Sequence, residues 1–421
     1  MRSIELFAGC GGLGFGIAEA GFEHVLVVEN DARACATLRF NAERGVNHFR
    51  DWRVEQVDVR DVDFSRMAGT IDLVSGGPPC QPFSIGGKHK GPTDQRNMWP
   101  EAIRAVRESR PKAFVFENVR GLLRPAFSDY LDFIRLQLSY PSVINDGNWR
   151  IGLEKLGKLA EKGEPPEYHV VIQGINAADY GVPQKRHRAI VMGVRSDIAT
   201  HVVFPRPTHS REALVWSQRI TGEYWRRHGV PENGRPRMTA SDRQLLKKLK
   251  QRGIAPAELP WVTVRDVISN LPKPSKKETV LNHLLHPGAR SYAGHTGSVL
   301  DGPAKALKAG AHGVPGGENS LVIRSGKVRY FTVREMARLH GLPDEFGTDE
   351  SWVSSIKQLG NAVPVQVGRT FGRAIVTLVE EVGPRSNTAV VRIKPNKRTG
   401  HFSQDSDRHY SRSNLNLVDI I

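Results

Sequence analysis

Short β-branched runs alternate with helical stretches through the first 120 residues. No other feature constrains the fold as much, because this is the rhythm of a parallel sheet whose strands are joined by crossover helices. Residues 2–7, 24–29, 71–75 and 113–117 read as strands, and each run closes on a polar or Gly-rich loop. In open α/β sheets ligands gather at the carboxyl ends of the strands, so chemistry is expected in those loops. The expected fold is α/β, with a doubly wound, mostly parallel sheet.

From 124 to 166 the pattern blurs, and a polar helical segment over 153–162 reads as part of an insertion at about 136–164. Strands resume at 168–173 and 189–194, around a loop over 176–188. Residues 196–328 differ in texture: they are rich in Arg, Lys, His, Gly and Pro, with few long apolar runs, and read as a smaller, loop-rich second domain. The first domain then comprises 1–195 and, on its return, 329–382. Within that return, Thr332-Val333-Arg334-Glu335 has capping-box spacing and opens a helix stopped by Gly341 and Pro343, and another helix follows Pro364. Residues 383–421 are polar and basic, and are expected to form a flexible tail.

A chain of 421 residues with 39% hydrophobic content is long enough for two or three folding units with a sizeable core. It has no run of about 18 apolar residues, and its N-terminus turns polar too soon for a signal peptide, so a cytoplasmic protein away from membranes is expected. Cysteine occurs only at positions 10, 35 and 80, which indicates neither a disulfide framework nor a zinc cluster; no metal site is expected. A cysteine that matters here acts alone. The formal net charge of +16 favours a polyanionic partner, since phosphates attract Lys and Arg whatever the base sequence.

The stretch from Glu5 to Gly16, ELFAGCGGLGFG, follows a strand and precedes a helix, where glycines let the backbone turn tightly against a ligand. An adenosine-type ligand fits such a loop. Gly9, Gly11 and Gly14 satisfy the dinucleotide fingerprint, and Glu29 stands where a ribose-binding carboxylate belongs, which makes a nicotinamide enzyme one reading. The bland alternative is close strand–helix packing. Asn30 follows Glu29, and Asp58, in Val57-Asp58-Val59, falls where a third strand would end, able to accept from an adenine amino group.

Ser75-Gly76-Gly77-Pro78-Pro79-Cys80-Gln81-Pro82-Phe83-Ser84 sets one thiol among three prolines and two glycines at a strand's carboxyl end. An inert cysteine normally lies among apolar neighbours within a strand or helix, so Cys80 is the candidate nucleophile. Glu117, in Phe116-Glu117-Asn118-Val119, ends an apolar strand with a carboxylate; it is either functional or a structural ion-pair partner. Gln184-Lys185-Arg186-His187-Arg188 leads alternating basic side chains into a strand.

Taken in order, these motifs together with Gly360-Asn361-Ala362-Val363-Pro364 closely resemble those of the DNA (cytosine-5)-methyltransferases of bacterial restriction-modification systems. The resemblance covers residues 2 to about 135, 165–195 and 328–381. Two departures are small: Cys10 stands where the family often has an aliphatic residue, and the segment at 136–164 looks longer than usual. The resemblance implies an S-adenosylmethionine-dependent methyltransferase sheet with a target-recognition domain at 196–328. It implies cofactor contacts from Phe7, Gly9, Gly11, Gly12, Leu13, Glu29, Asn30, Asp58, Val59, Pro78, Asn361 and Val363. It also implies that Cys80 adds to carbon 6 of a flipped-out cytosine, which makes carbon 5 able to accept a methyl group. Arg186 and Arg188 would favour the Cys80 thiolate, Arg188 would hold the base carbonyl, and Glu117, its pKa raised by burial, would protonate ring nitrogen 3. Double-stranded DNA is the expected partner, with a monomer acting beside a restriction endonuclease but not in stable complex with it.

Three rivals stand beside this reading. A nicotinamide oxidoreductase shares the glycine loop but leaves the Pro-Pro-Cys-Gln loop without a reason. A DNA-binding module explains the charge but not Cys80, Glu117 and Arg188 together. A tRNA cytosine-5 methyltransferase of the same fold would use the same chemistry on RNA.

Overall fold

The computed structural model describes residues 1–79, 96–145, 147–291, 296–310, 317–323 and 326–380. Cys80 and the tail over 383–421 lie outside the described residues.

Seven strands form the central sheet: β1 (Arg2–Leu6), β2 (Glu23–Glu29), β3 (Val54–Gln56), β4 (Leu73–Gly76), β5 (Ala113–Val119), β6 (Tyr168–Asn176) and β8 (His187–Arg195). The short strand β7 (Gln184–Lys185) lies just ahead of β8. The order across the sheet is β3-β2-β1-β4-β5-β8-β6. Neighbours from β3 to β5 run parallel, while β8 is antiparallel to both β5 and β6. This is the doubly wound, mostly parallel α/β sheet expected from the strand rhythm.

Central strands in such a sheet are covered on both faces and so read as continuous apolar runs. In β4 and β5 the alternate side chains enter two different cores. Val74, Phe114 and Phe116 pack with α3 (Trp99–Ser109), α4 (Ser128–Ser139) and α5 (Trp149–Glu161) through Trp99, Ile103, Ile134 and Leu156. Leu73, Ala113 and Val115 pack on the other face with Leu13, Ile17, Phe371 and Ile375, from α1 (Gly12–Glu19) and the last described helix, α12 (Val365–Glu380). Phe114 and Phe116 are fully buried, and each such side chain stabilises the fold by about 1.5–3 kcal/mol relative to an exposed one.

β5, β6 and β8 each extend beyond the runs read from the sequence. β5 continues through Asn118 and Val119 because β8 pairs with them, Asn118 opposite Ala189 and Val119 opposite Arg188. The expected loop over 176–188 accordingly contains β7 and the first residues of β8. Glu117 and Arg188 thus lie on paired strands.

The remaining helices are α2 (Ala32–Glu43), α6 (Arg211–Arg219), α7 (Glu223–Arg227), α8 (Ala240–Arg252), α9 (Val264–Ile268), α10 (Val333–Leu339) and α11 (Trp352–Asn361). Thr332 and Glu335 form the expected capping box at α10. Val202 and Phe204 pack against the core around Phe371, and buried residues within 196–328 contribute to two others. Leu214, Tyr224, Trp225 and Val230 make a small cluster of their own, with Trp261 against it. Val264, Ile268, Ala304, Leu307 and Leu321 instead share a core with Met336, Leu359 and Ala362.

Candidate active site

The carboxyl ends of β1, β2, β4 and β5 lie side by side, and the described residues of the motifs singled out above lie at this edge. After β4 the chain runs through Gly77 to Pro78, and the buried Asn118 at the end of β5 donates from Nδ2 to the Pro78 carbonyl at 3.1 Å. That bond ties the start of the Cys80 loop to the strand that carries Glu117. In the sequence Asn118 stands out only as a member of the Glu117-Asn118-Val119 motif. The available signal was an amide placed at the end of an otherwise apolar strand.

Glu117 and Arg188 touch, carboxylate oxygen Oε1 to guanidinium Nε, with side chains only 10% and 13% exposed. A Cβ placed on Gly77 would lie 3.8 Å from Glu117 Oε2, so this carboxylate faces the loop three residues before Cys80. The surroundings are strongly electropositive. Burial, with the charges of Arg120, Arg188 and Lys185, holds His187 below its ordinary pKa. Burial, with Arg186 and Arg188, pushes the fully buried His340 down to about 3.

Arg186 is placed differently from Arg188. It is 1% exposed and donates to the carbonyls of Leu307 and Gly360, both at 2.9 Å.

The glycine loop turns on left-handed backbone at Phe7 (φ 55°), Gly9 (φ 56°) and Gly11 (φ 88°). Glu29, at the end of β2, accepts the Gly9 N–H at 2.7 Å and those of Asn30 and Asp31 at 2.8 and 2.7 Å. A Cβ on Gly9 would meet nothing within 4 Å among the described residues, which leaves open space among them above the loop beside this anchored carboxylate. Gly12 differs: its Cβ would come within 2.3 Å of the Val363 carbonyl, so the missing side chain lets residues 361–364 return against the loop. The close packing of α1 on α12 has the same cause, since a Cβ on Gly16 would lie 2.2 Å from the Val365 carbonyl. Gly11, Leu13 and Val59 are buried beneath the edge, whereas Asn30 and Asn361 are exposed on it. Asp58 caps a short turn, and its carboxylate, gripped by Arg60 at 2.6 Å, is held down at about 2.

Two buried polar groups support the loop from below. Glu5 accepts a hydrogen bond from the Ser75 hydroxyl across β1 and β4, and burial pushes its pKa up to about 8. His24 lies with Nε2 2.8 Å from the Gly14 carbonyl, and burial pushes it down to about 4. Neither was singled out from the sequence.

The family model described as C-5 cytosine-specific DNA methylase matches residues 1–140 and 145–377. The chain belongs to this family. It is a DNA (cytosine-5) methyltransferase. The methylase is 31% identical over 383 residues to the type II methyltransferase M.PspPI of Psychrobacter sp. (strain TA137), covering 89% of this chain and 79% of that one. It is 30% identical over 381 residues to M.NgoMIV of Neisseria gonorrhoeae, covering 90% and 98%. Among solved structures, a Spodoptera frugiperda DNMT2 mutant superposes with a TM-score of 0.54 at 15% identity, over 89% of the methylase and 99% of that chain. That likeness is one of fold, and the sheet is the methyltransferase sheet. No helix among the described residues is long and apolar enough to cross a membrane.

Proposed function

We propose that this methylase modifies carbon 5 of one cytosine within a specific duplex DNA sequence, with S-adenosylmethionine as methyl donor, and protects that sequence in a restriction-modification system. The observation that carries this reading is the contact between Glu117 and Arg188 on paired strands, beside the tethered entrance to the Cys80 loop. The type II names of M.PspPI and M.NgoMIV support the restriction-modification context.

Carbon 5 of cytosine is a poor nucleophile until a group adds at carbon 6. Cys80 supplies that group as a thiolate, favoured by the basic side chains around β8. Glu117 delivers a proton to ring nitrogen 3 as electron density builds there, and Arg188 donates to the base carbonyl oxygen. The base reaches these groups by swinging out of the duplex. The donor set on the sheet edge fits S-adenosylmethionine: open space above Gly9, the anchored Glu29 carboxylate and the Asp58 carboxylate suit an adenosine with its amino and hydroxyl groups. When bound, this group supplies an electrophilic sulfonium methyl. Phe7, Pro78, Asn361 and Val363 complete the enclosure. We place the enzyme in the cytoplasm, acting on nucleoid DNA as a monomer without a stable endonuclease complex.

Bisulfite sequencing of DNA from cells expressing the methylase tests the reading. Protection of cytosine at one position of one recurring sequence is expected. Side-by-side methyl transfer to duplex DNA and tRNA separates the rival, and activity on tRNA alone would overturn the assignment.

Residues 196–328 serve as the sequence reader, with basic residues on its helices anchoring DNA phosphates. On α8, Arg243, Lys247 and Lys250 recur at helical spacing around a shallow recess also lined by Met238, Leu246 and Gln251. Replacing the three by alanine should flatten the slope of log affinity against log salt by about 0.9 per phosphate contact removed, with kcat at saturating DNA unchanged. An unchanged slope would put the phosphate contacts elsewhere.

A further inference from the structure

We propose that Arg186 is a positioning residue: it clamps the end of the recognition region to the catalytic strand and to the segment that returns against the glycine loop, and it acts through those contacts rather than on the base or the Cys80 thiol. This inference rests on the roles proposed above for Cys80, Glu117 and Arg188.

The clamp is built from side chain and backbone together. A further strand, β9 (Ala304–Lys305), pairs in parallel with β7, and the Ala304 N–H donates to the Pro183 carbonyl at 2.8 Å. Two residues on, the fully buried Gln184 accepts the Leu307 N–H at 2.9 Å, while Arg186 donates to the Leu307 carbonyl. Both backbone polar groups of Leu307 are therefore held by the Gln184-Lys185-Arg186 run. Asn319 holds the next residue in the same way, accepting from the Lys308 N–H at 2.9 Å and donating to its carbonyl at 2.7 Å.

The second nitrogen of the Arg186 fork reaches the Gly360 carbonyl at 2.9 Å. Gly360 has no room for a side chain, since a Cβ would lie 2.2 Å from Ala309 N. Three residues beyond it, Val363 lies against Gly12 of the glycine loop. One guanidinium thus stands where three parts of the chain meet. Arg188, which touches Glu117, is only two residues further along the same chain. A planar fork can hold two carbonyls on separate segments at once; an ammonium is a compact point charge and lacks that geometry. Releasing the clamp frees Arg188 to shift against Glu117, and a displacement of about 1 Å can lower turnover about a hundredfold.

Arg186→Lys and Arg186→Gln in the full chain test this, with three readouts: turnover per folded molecule, the KM values for S-adenosylmethionine and duplex DNA, and the pH midpoint for alkylation of Cys80 by iodoacetamide. Both variants should lose turnover by about a hundredfold, with KM raised for both substrates and the alkylation midpoint unmoved. Lysine should not rescue what glutamine loses. Gly360→Ala, which drives the 308–309 backbone away while leaving Arg186 in place, should reproduce the defect. A raised alkylation midpoint in Arg186→Gln, restored in Arg186→Lys, would overturn the proposal in favour of a direct charge effect on the thiol. Wild-type turnover per folded molecule in both variants would overturn it in favour of a role in stability alone. Should the Arg186 variants fail to fold, Gly360→Ala and Gln184→Leu decide by the same readouts. Failure of the wild-type protein to bond covalently to a 5-fluorocytosine duplex would instead sink the catalytic reading, a result distinct from any defect confined to the variants.

Discussion

Duplex DNA carrying 5-fluorocytosine at the target position is expected to remain covalently attached to the wild-type protein through denaturing electrophoresis, and Cys80→Ala is expected to yield no adduct and no measurable turnover. Once sulfur has added at carbon 6 and the methyl group has arrived at carbon 5, the product leaves only after the carbon 5 hydrogen departs as a proton. Fluorine cannot depart in that way, so the thioether persists. The other two cysteines make poor substitutes. Cys10 and Cys35 are buried. Burial pushes the Cys10 thiol up to about 12 and the Cys35 thiol to about 11, so neither is a thiolate near neutral pH. An adduct through either of them, or full activity in Cys80→Ala, would show the mechanism to be wrong even where the reaction is right. Fluorinated RNA trapped in preference to DNA would return the tRNA reading.

Glu117→Gln should lower kcat by at least about a hundredfold, the usual scale for one general acid. Glutamine keeps the length and shape of the side chain and can still donate a hydrogen bond, but it has no acidic proton to give to nitrogen 3. The contact with Arg188 makes the structural alternative concrete. Were Glu117 only one half of a buried ion pair, its loss would cost about 3–5 kcal/mol of stability, as breaking buried pairs does. Turnover per folded molecule would then stay at the wild-type level. Melting curves and single-turnover methyl transfer on the same preparation distinguish the two outcomes.

The candidate site motifs could be singled out in the sequence, because each is encoded within a few residues. A glycine loop after a strand, prolines around a lone thiol and a carboxylate closing an apolar run all depend on local turn chemistry and side-chain period, and so does the capping box at Thr332. The same local reasoning placed six of the sheet strands, whereas the nearness of Asn361 and Val363 to the loop followed only from the family resemblance. Long-range pairing was not legible. β5 runs on through Asn118 and Val119 because β8 lies beside it, and nothing local in Glu117-Asn118-Val119 announces that partner. The 196–328 segment has uniform texture in the sequence, yet its clustered buried residues divide between a core of their own and one shared with the C-terminal helices.

By itself, the sequence determined the fold class and the family and named candidate residues for the chemistry, through patterns no longer than a strand, a loop or a helix cap. Tertiary structure alone decided how those residues are employed. Arg186 and Arg188 are indistinguishable as members of one basic run, but one touches the Glu117 carboxylate while the other binds carbonyls 121 and 174 residues away in the chain. Glycines in one loop likewise divide between open space at Gly9 and backbone contact at Gly12. The physical reason is the same in both cases: a guanidinium or a missing Cβ takes its role from whatever segment folds against it, and that segment is specified elsewhere in the chain.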